Sequence, residues 1–211
     1  QRDAAASGAM QRDLDDWNAH LGTEVPALEL PTDHARPEQL GFDGAATHFA
    51  LEAPLCEALL KLCRAERSTP FVVLFAAWQV LLARYSGQYD FAVGVPSAGR
   101  HREELHGLLG FFVTTQVFRA RLTPRMSLRD ICRQVRGDVL AALDHADLPF
   151  DVLLASRTDR REPGRTPLFQ VMFGLQMEDG TTGPRFEGLQ VGQLPAPDRS
   201  AKFELSLDLT L

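Results

Sequence analysis

Apolar and polar positions along the chain repeat with two periods, one helical and one of two residues, and they divide the sequence into alternating helices and strands. Met10, Leu14, Trp17 and Leu21 share one face of a helix over 7–22, with Ser7 as a possible cap and Gly22 as its stop. Pro54 opens a second helix, with Leu55, Leu59, Leu62 and Cys63 facing inward. Thr69-Pro70 opens a third, FVVLFAAWQVLLARYS, which is apolar nearly all round and ends at Gly87. Ser127 and Asp130 form an S-x-x-D capping box before a helix carrying Leu128, Ile131, Val135, Leu140 and Leu143. A short helix, PFDVLLAS, follows Asp147 and Pro149.

Strands are expected at 47–51, 90–95, 168–175 and 202–211, the last with Phe203, Leu205, Leu207, Leu209 and Leu211 on one side. The most prominent strand signal is GLLGFFVTTQVFRARL, 107–122. It is uncharged as far as Phe118 and then alternates, which predicts a sheet-centre strand buried deeply at its first end and by half at its second. Gly107 and Gly110 mark its start. The Pro- and Gly-rich stretch 23–44 reads as extended linker, and 177–199 as a long excursion across the surface. Helices and strands intermixed in this way give an α/β (α+β) sandwich, a central mixed sheet flanked by helices.

The 211 residues are 45% hydrophobic and 24% charged, enough chain for a core without staples. A net charge of -6 argues against nucleic acid or an anionic membrane surface as partner. Three cysteines (Cys56, Cys63, Cys132) at no metal-ligand spacing read as buried thiols of a reducing compartment, so the expected location is cytoplasmic. The longest apolar run, 71–83, falls short of the roughly 20 residues that a membrane span needs.

Candidate chemistry is sparse. There is no P-loop, G-x-G-x-x-G, H-E-x-x-H or G-x-S-x-G, and the six histidines are scattered without metal-ligand spacing. GVPSAGR (94–100) puts Ser97 and Arg100 in a loop at a strand end, where sites collect, although a surface turn explains it as well. In HADLPFD (145–151), His145 and Asp147 have acid/base spacing, but a helix cap at Asp147 suffices. RREPGR (160–165) suits an anion or simply solvent.

In order, however, DLDDWNAHL, LPTDHARP, FVVLFAAWQVLLARYSG, VGVPSAGR, LGFFVTT, HADLPFD, GRTPLFQVMF and AKFELSLDL resemble the second half of a condensation domain of non-ribosomal peptide synthetases. The resemblance implies a subdomain similar to chloramphenicol acetyltransferase, one of two that form a V around a tunnel. Carrier proteins deliver phosphopantetheine thioesters to its two ends, and the acceptor amine attacks the donor thioester. The family's HHxxxDG motif lies in the first half and does not occur in these 211 residues. By the resemblance, residues 1–44 are a helix and linker from the preceding subdomain and 45–211 are the C-terminal subdomain, expected to be inactive alone within an active parent enzyme.

Implied tunnel residues are Val95, Ser97, Arg100, Phe112, Thr114 and Thr115, and implied structural motif residues are Gly110, His145, Asp147, Pro149, Arg165, Pro167 and Phe169. None is catalytic and none binds metal. The implied partners are the N-terminal condensation subdomain, peptidyl or acyl carrier proteins bearing the phosphopantetheine arm, and an adjacent adenylation domain. Three departures from the family pattern stand out: Thr114 for a frequent Asn, Val95 for a frequent Thr or Ser, and Ala146 for the usual Gln. Alternatives within the resemblance are a non-catalytic relative that recruits another protein, an N-acylating or ester-forming member, and a free-standing acyltransferase.

Overall fold

The computed structural model describes residues 8–39, 41–100, 103–146, 148–157, 164–177, 188–189 and 199–211. In chain order the elements are α1 (Ala9–Leu21), α2 (Ala53–Ala65), α3 (Pro70–Ser86), β1 (Asp90–Ser97), a 3-10 turn (Glu103–Leu105), β2 (Thr114–Arg121), α4 (Leu128–Asp144), α5 (Phe150–Ser156), β3 (Val171–Gln176) and β4 (Leu205–Thr210). The strands form one mixed sheet in the order β2-β1-β3-β4, with β1 antiparallel to β2 and parallel to β3, and β3 parallel to β4.

Local signals set most helix ends. The Thr69 hydroxyl accepts the Val72 N–H, Pro70 begins α3, and Gly87 closes it in the left-handed conformation. Ser127 and Asp130 make the reciprocal capping box of α4. Gly22 closes α1, whose N-cap position is Gly8; Ser7 lies outside the described residues.

The sheet is covered on both faces. On one, Phe75 of α3 packs its ring against Phe118 of β2 and Phe173 of β3, and Gln116 of β2 donates to the Ala142 carbonyl of α4. On the other, Arg119, which alternation points the opposite way from Phe118, donates to the Leu21 carbonyl at the end of α1 and forks onto Asp90 at 2.7 and 2.6 Å. Both sides belong to one core cluster, into which Trp17, Leu21 and Leu28 are also built.

Several sequence expectations change. The 107–122 stretch is not the sheet centre: β2 is an edge strand that begins only at Thr114. Burial along it is reversed, with Val117, Phe118 and Ala120 buried while Leu109 and Phe111 are 103% and 91% exposed. An apolar run reports covered faces rather than paired edges, and helices on both faces bury β2 without a second neighbour. Residues 47–51 form no strand, and Phe49 and Leu51 are exposed. Leu55, Leu128, Leu140 and Leu143 face solvent, leaving Cys63 on α2 and Ile131, Cys132, Val135 and Ala142 on α4 as the buried positions. Cys56 is half-exposed rather than buried. Pro96 and Ser97, expected in a loop, extend β1, and most of the 177–199 excursion lies outside the described residues.

Candidate functional site

Because β1, β3 and β4 run parallel, their C-terminal ends at Pro96–Ser97, Leu175–Gln176 and Asp208–Thr210 come together at one end of the sheet. The antiparallel β2 contributes its first residues, Thr114 and Thr115, to the same end. Open α/β sheets bind their ligands there. Directly opposed residues share a face, so Thr115 stands beside Pro96 and Gly174 beside Asp208. A methyl group placed on Gly174 would meet the Asp208 carboxylate and lie 3.9 Å from Pro96 Cγ. Thr115, Pro96, Gly174 and Asp208 therefore form a row across all four strands. Pro96, Asp208, Gln176, Thr210 and Ser206 are exposed on this face and Thr115 is half-exposed. One row below, the face is closed: the Phe169 ring lies on Gly94 and packs in turn against the tilted rings of Phe150 and Phe203.

The residues singled out from the sequence divide. Thr115 lies in the exposed row. Ser97 and Thr114, opposite each other, are half-exposed at the rim on the side that α3 and α4 cover. Val95 opposes Gln116 on that same side and is only 6% exposed, so it faces α4 and the core. Arg100 points back into its own loop: its guanidinium donates to the carbonyls of Leu105 and Gly110 and lies 4.4 Å over the Phe112 ring. Gly99, left-handed at φ 63°, lets the Phe112 carbonyl approach so closely that a Cβ there would collide with it. The His106 Nε2 lies 2.8 Å from the Arg100 carbonyl. Arg100 and Phe112 thus brace the turn leading into Thr114, and Gly110 lies within that brace. The same turn presents Leu108, Leu109, Phe111 and Val113 to solvent.

His145, at the end of α4, sits with Nδ1 2.9 Å from Asp13 and Nε2 3.6 Å from Asp16, both on α1, while its carbonyl accepts from the Trp17 indole. These contacts clamp α4 to α1. Asp147 lies outside the described residues; the cap position of α5 is Pro149. A cavity of about 290 Å³ beside the clamp is lined by Asp16, Trp17, His20, Asp138, Ala142 and His145. Burial there raises the Asp138 carboxyl to about 6 against the opposing pull of Arg121, and burial, with Arg121 and Arg119, lowers His20.

Arg165 forms an ion pair with Glu29, which ties the GRTPLFQ motif to the 23–44 stretch; residues 160–163 lie outside the described residues. Pro167 accepts the Phe169 N–H at 2.9 Å. The sequence reading missed Gln170, which is 3% exposed: it accepts the Leu28 N–H at 2.8 Å and donates to the Thr166 carbonyl, fixing the approach to β3. It also missed Arg36, whose two nitrogens meet Glu204 at 2.5 and 2.9 Å just before β4. Arginine spaced for a distant carboxylate leaves no periodic signal.

No nucleophile stands out among the described residues. Burial raises the thiols of Cys63 and Cys132, and no group of three or more His, Cys, Asp or Glu among the described residues could hold a metal ion. No single described helix is long and apolar enough to cross a membrane. Among the described residues the site offers shape, hydrogen-bonding groups and one carboxylate.

A four-stranded mixed sheet with helices on both faces and an exposed C-terminal strand edge is the α/β architecture of the chloramphenicol acetyltransferase-like folds. The condensation domain model matches residues 1–211, and the chain belongs to that family. It is 36% identical over 208 residues to tyrocidine synthase 3 of Brevibacillus parabrevis, covering 99% of this chain and 3% of that protein. It is 39% identical over 197 residues to phosphinothricin tripeptide synthetase PhsC of Streptomyces viridochromogenes, covering 92% of this chain and 18% of that protein. Among solved structures, the condensation domain of the monacolin K polyketide synthase MokA matches 85% of this chain and 44% of its own at 26% identity and TM-score 0.70. The X-domain of teicoplanin biosynthesis, in its complex with OxyB, matches 99% of this chain and 45% of its own at 21% identity and TM-score 0.82, which shows the shared fold. The chain spans a small fraction of the curated synthetases and a little under half of these domain structures. The homologues are condensation domains of peptide synthetases, so antibiotic biosynthesis and peptide-bond formation fit the family.

Proposed function

We propose that this chain is the C-terminal subdomain of a peptide-synthetase condensation domain and forms the acceptor-side wall of its tunnel, with residues 1–44 leading in from the preceding subdomain. The row Thr115–Pro96–Gly174–Asp208, exposed at Pro96 and Asp208 and lying at the meeting point of three parallel strand ends, carries this proposal. In the reaction the acceptor amine attacks the donor thioester carbon; a C–N bond forms, the C–S bond breaks and the carrier's phosphopantetheine thiol leaves. Two tethered reactants must be aligned and kept from water, and a shaped wall supplies both without donating a catalytic group. The partners are an N-terminal subdomain bearing the paired histidines, the carrier proteins with their phosphopantetheine arms, and a neighbouring adenylation domain in the cytoplasm. Ser97, Thr114 and Thr115 border the path, while Arg100 and Phe112 set its rim from behind.

The parent synthetase, supplied with a loaded donor and a loaded acceptor carrier, should form the amide, and this chain alone should not. A correctly folded parent that joins no donor–acceptor pair would contradict the proposal.

A further inference from the structure

Alternation predicts a strand at 47–51, yet that segment is unpaired, with Phe49 and Leu51 exposed. β4 is unpaired on its outer side too: among the described residues it is the last strand of the sheet, joined only to β3. The two segments begin together and then part. The Gly44 N–H donates to the Arg199 carbonyl and the Ala201 N–H to the Phe42 carbonyl. Beyond that bridge the chains flank a cavity of about 420 Å³, with 47–51 on one side and 208–211 on the other. Leu59 of α2 and Leu74 of α3 also line it. Four consecutive residues, 208–211, alternate between the two faces of the strand, so the cavity lies along the free edge of β4 rather than on either face.

Two strand-forming segments on either side of such a gap match a sheet with a place for one strand between them. Neighbouring strands lie about 4.8 Å apart, so an intervening strand sets its neighbours roughly 10 Å apart, and the cavity has room for about three of its residues. An unpaired edge presents backbone N–H and C=O groups at every second residue. An extended segment satisfies them on both of its sides, which a helix does not. The faces of β4 set the side chains that this segment needs. Leu207 pairs with Phe173, whose ring stacks on Phe75 of α3, so Leu205, Leu207 and Leu209 face the helices. On that side Leu205 shares a second cavity, of about 400 Å³, with Trp78, Leu81 and Tyr85. Ser206, Asp208 and Thr210 lie on the other side. The occupant is therefore apolar at every second residue and polar between.

We infer that the cavity between β4 and 47–51 receives one β-strand from elsewhere in the parent synthetase, apolar at alternate residues, which joins both segments into a continuous sheet. The inference rests on this chain being part of a larger synthetase and not on the acceptor-wall role. The test places the photo-crosslinker benzoylphenylalanine at position 49 of the parent in one variant and at position 210 in another, and maps the products by mass spectrometry. Both should capture the same stretch of the parent outside residues 1–211, at sites within about five residues of each other. In the unmodified parent, the amides of 47–51 should exchange hydrogen at least about tenfold more slowly than in an unpaired chain. Capture of two different stretches, of residues within 1–211 or of a separate polypeptide would overturn the inference. So would failure to capture at either position, or exchange of 47–51 at the unpaired rate. None of these results touches the amide-forming assay, whose failure would remove the parent reading instead.

Discussion

The ring of Phe169 rests on Gly94: a Cβ at Gly94 would lie within 2.7 Å of three of its ring atoms, and Phe169 is 2% exposed. The contact joins the GRTPLFQ motif to β1 and closes the helix-covered part of the sheet just below the exposed row. Gly94→Ala should therefore destabilise the fold by about 1–3 kcal/mol through overpacking. Phe169→Ala should cost about 3–5 kcal/mol through the cavity it leaves between Phe150 and Phe203. Urea titrations of each variant check both values, and a neutral Gly94→Ala would mean that the ring moves aside freely.

Arg100 holds two carbonyls and one ring of the turn before β2. Arg100→Ala should free that turn and raise the rate of limited proteolysis between 105 and 113 several-fold. Arg100→Lys should restore little, because one ammonium cannot reproduce a planar fork stacked on Phe112. Equal protease sensitivity in all three proteins would show that the turn is held by other contacts.

The cavity between α1 and α4 carries opposite pH signatures. Asp138 has a folded value of about 6, above the ordinary carboxylate value of 3.8, because of burial. The folded state then binds more protons than the unfolded state between those values, so the Asp138 contribution to stability falls as pH rises from about 4 to 6. His20 is lowered, so its contribution is present above its unfolded value of 6.5 and is lost as pH falls below that. Asp138→Asn isolates the first effect. At pH 7 it should gain about 1–2 kcal/mol, less than the full shift implies because water reaches the cavity, and near pH 4 it should match the wild type. Chemical denaturation at the two pH values checks it; a variant equally stable relative to wild type at both would place the Asp138 carboxyl in its ordinary range.

Leu108, Leu109, Phe111 and Val113 stand exposed on one turn, next to the rim at Thr114. The separated chain should bind an apolar dye and self-associate, and Leu109→Asp with Phe111→Asp should reduce both. Light scattering and dye fluorescence read the outcome, and a monodisperse, dye-silent wild-type chain would contradict it.

What the sequence disclosed follows from the range of each signal. Thr69-Pro70, the Ser127/Asp130 box and the glycine stops at Gly22 and Gly87 act within one helical turn, and they stand where the residues indicate. The position of β2 was not legible, because hydrophobicity records that helices cover both its faces and is silent on which edges pair. The uncharged run at 107–113 reads as core although Leu108, Leu109, Phe111 and Val113 are exposed, because apolar residues in sequence carry no mark of whether anything covers them. In the candidate site, the order of motifs pointed to the sheet end containing Ser97, Thr114 and Thr115. Alternation along 202–211 set Asp208 on the polar side without revealing that this side continues the row from Thr115. That required the parallel register of β3 and β4.

The most direct measurement is covalent capture of the acceptor arm. In the parent synthetase carrying Thr115→Cys, an acceptor carrier whose pantetheine ends in a bromoacetyl group should alkylate Cys at that position, the thiolate displacing bromide. Reaction should be at least about tenfold faster than at the half-exposed native Cys56, which borders Asp208 at the opposite edge of the sheet from Thr115, consistent with the gain from positioning. Capture at position 115 from the acceptor carrier, and little from the donor carrier, is the result expected of an acceptor-side wall. No capture, or equal capture from both carriers, would contradict it.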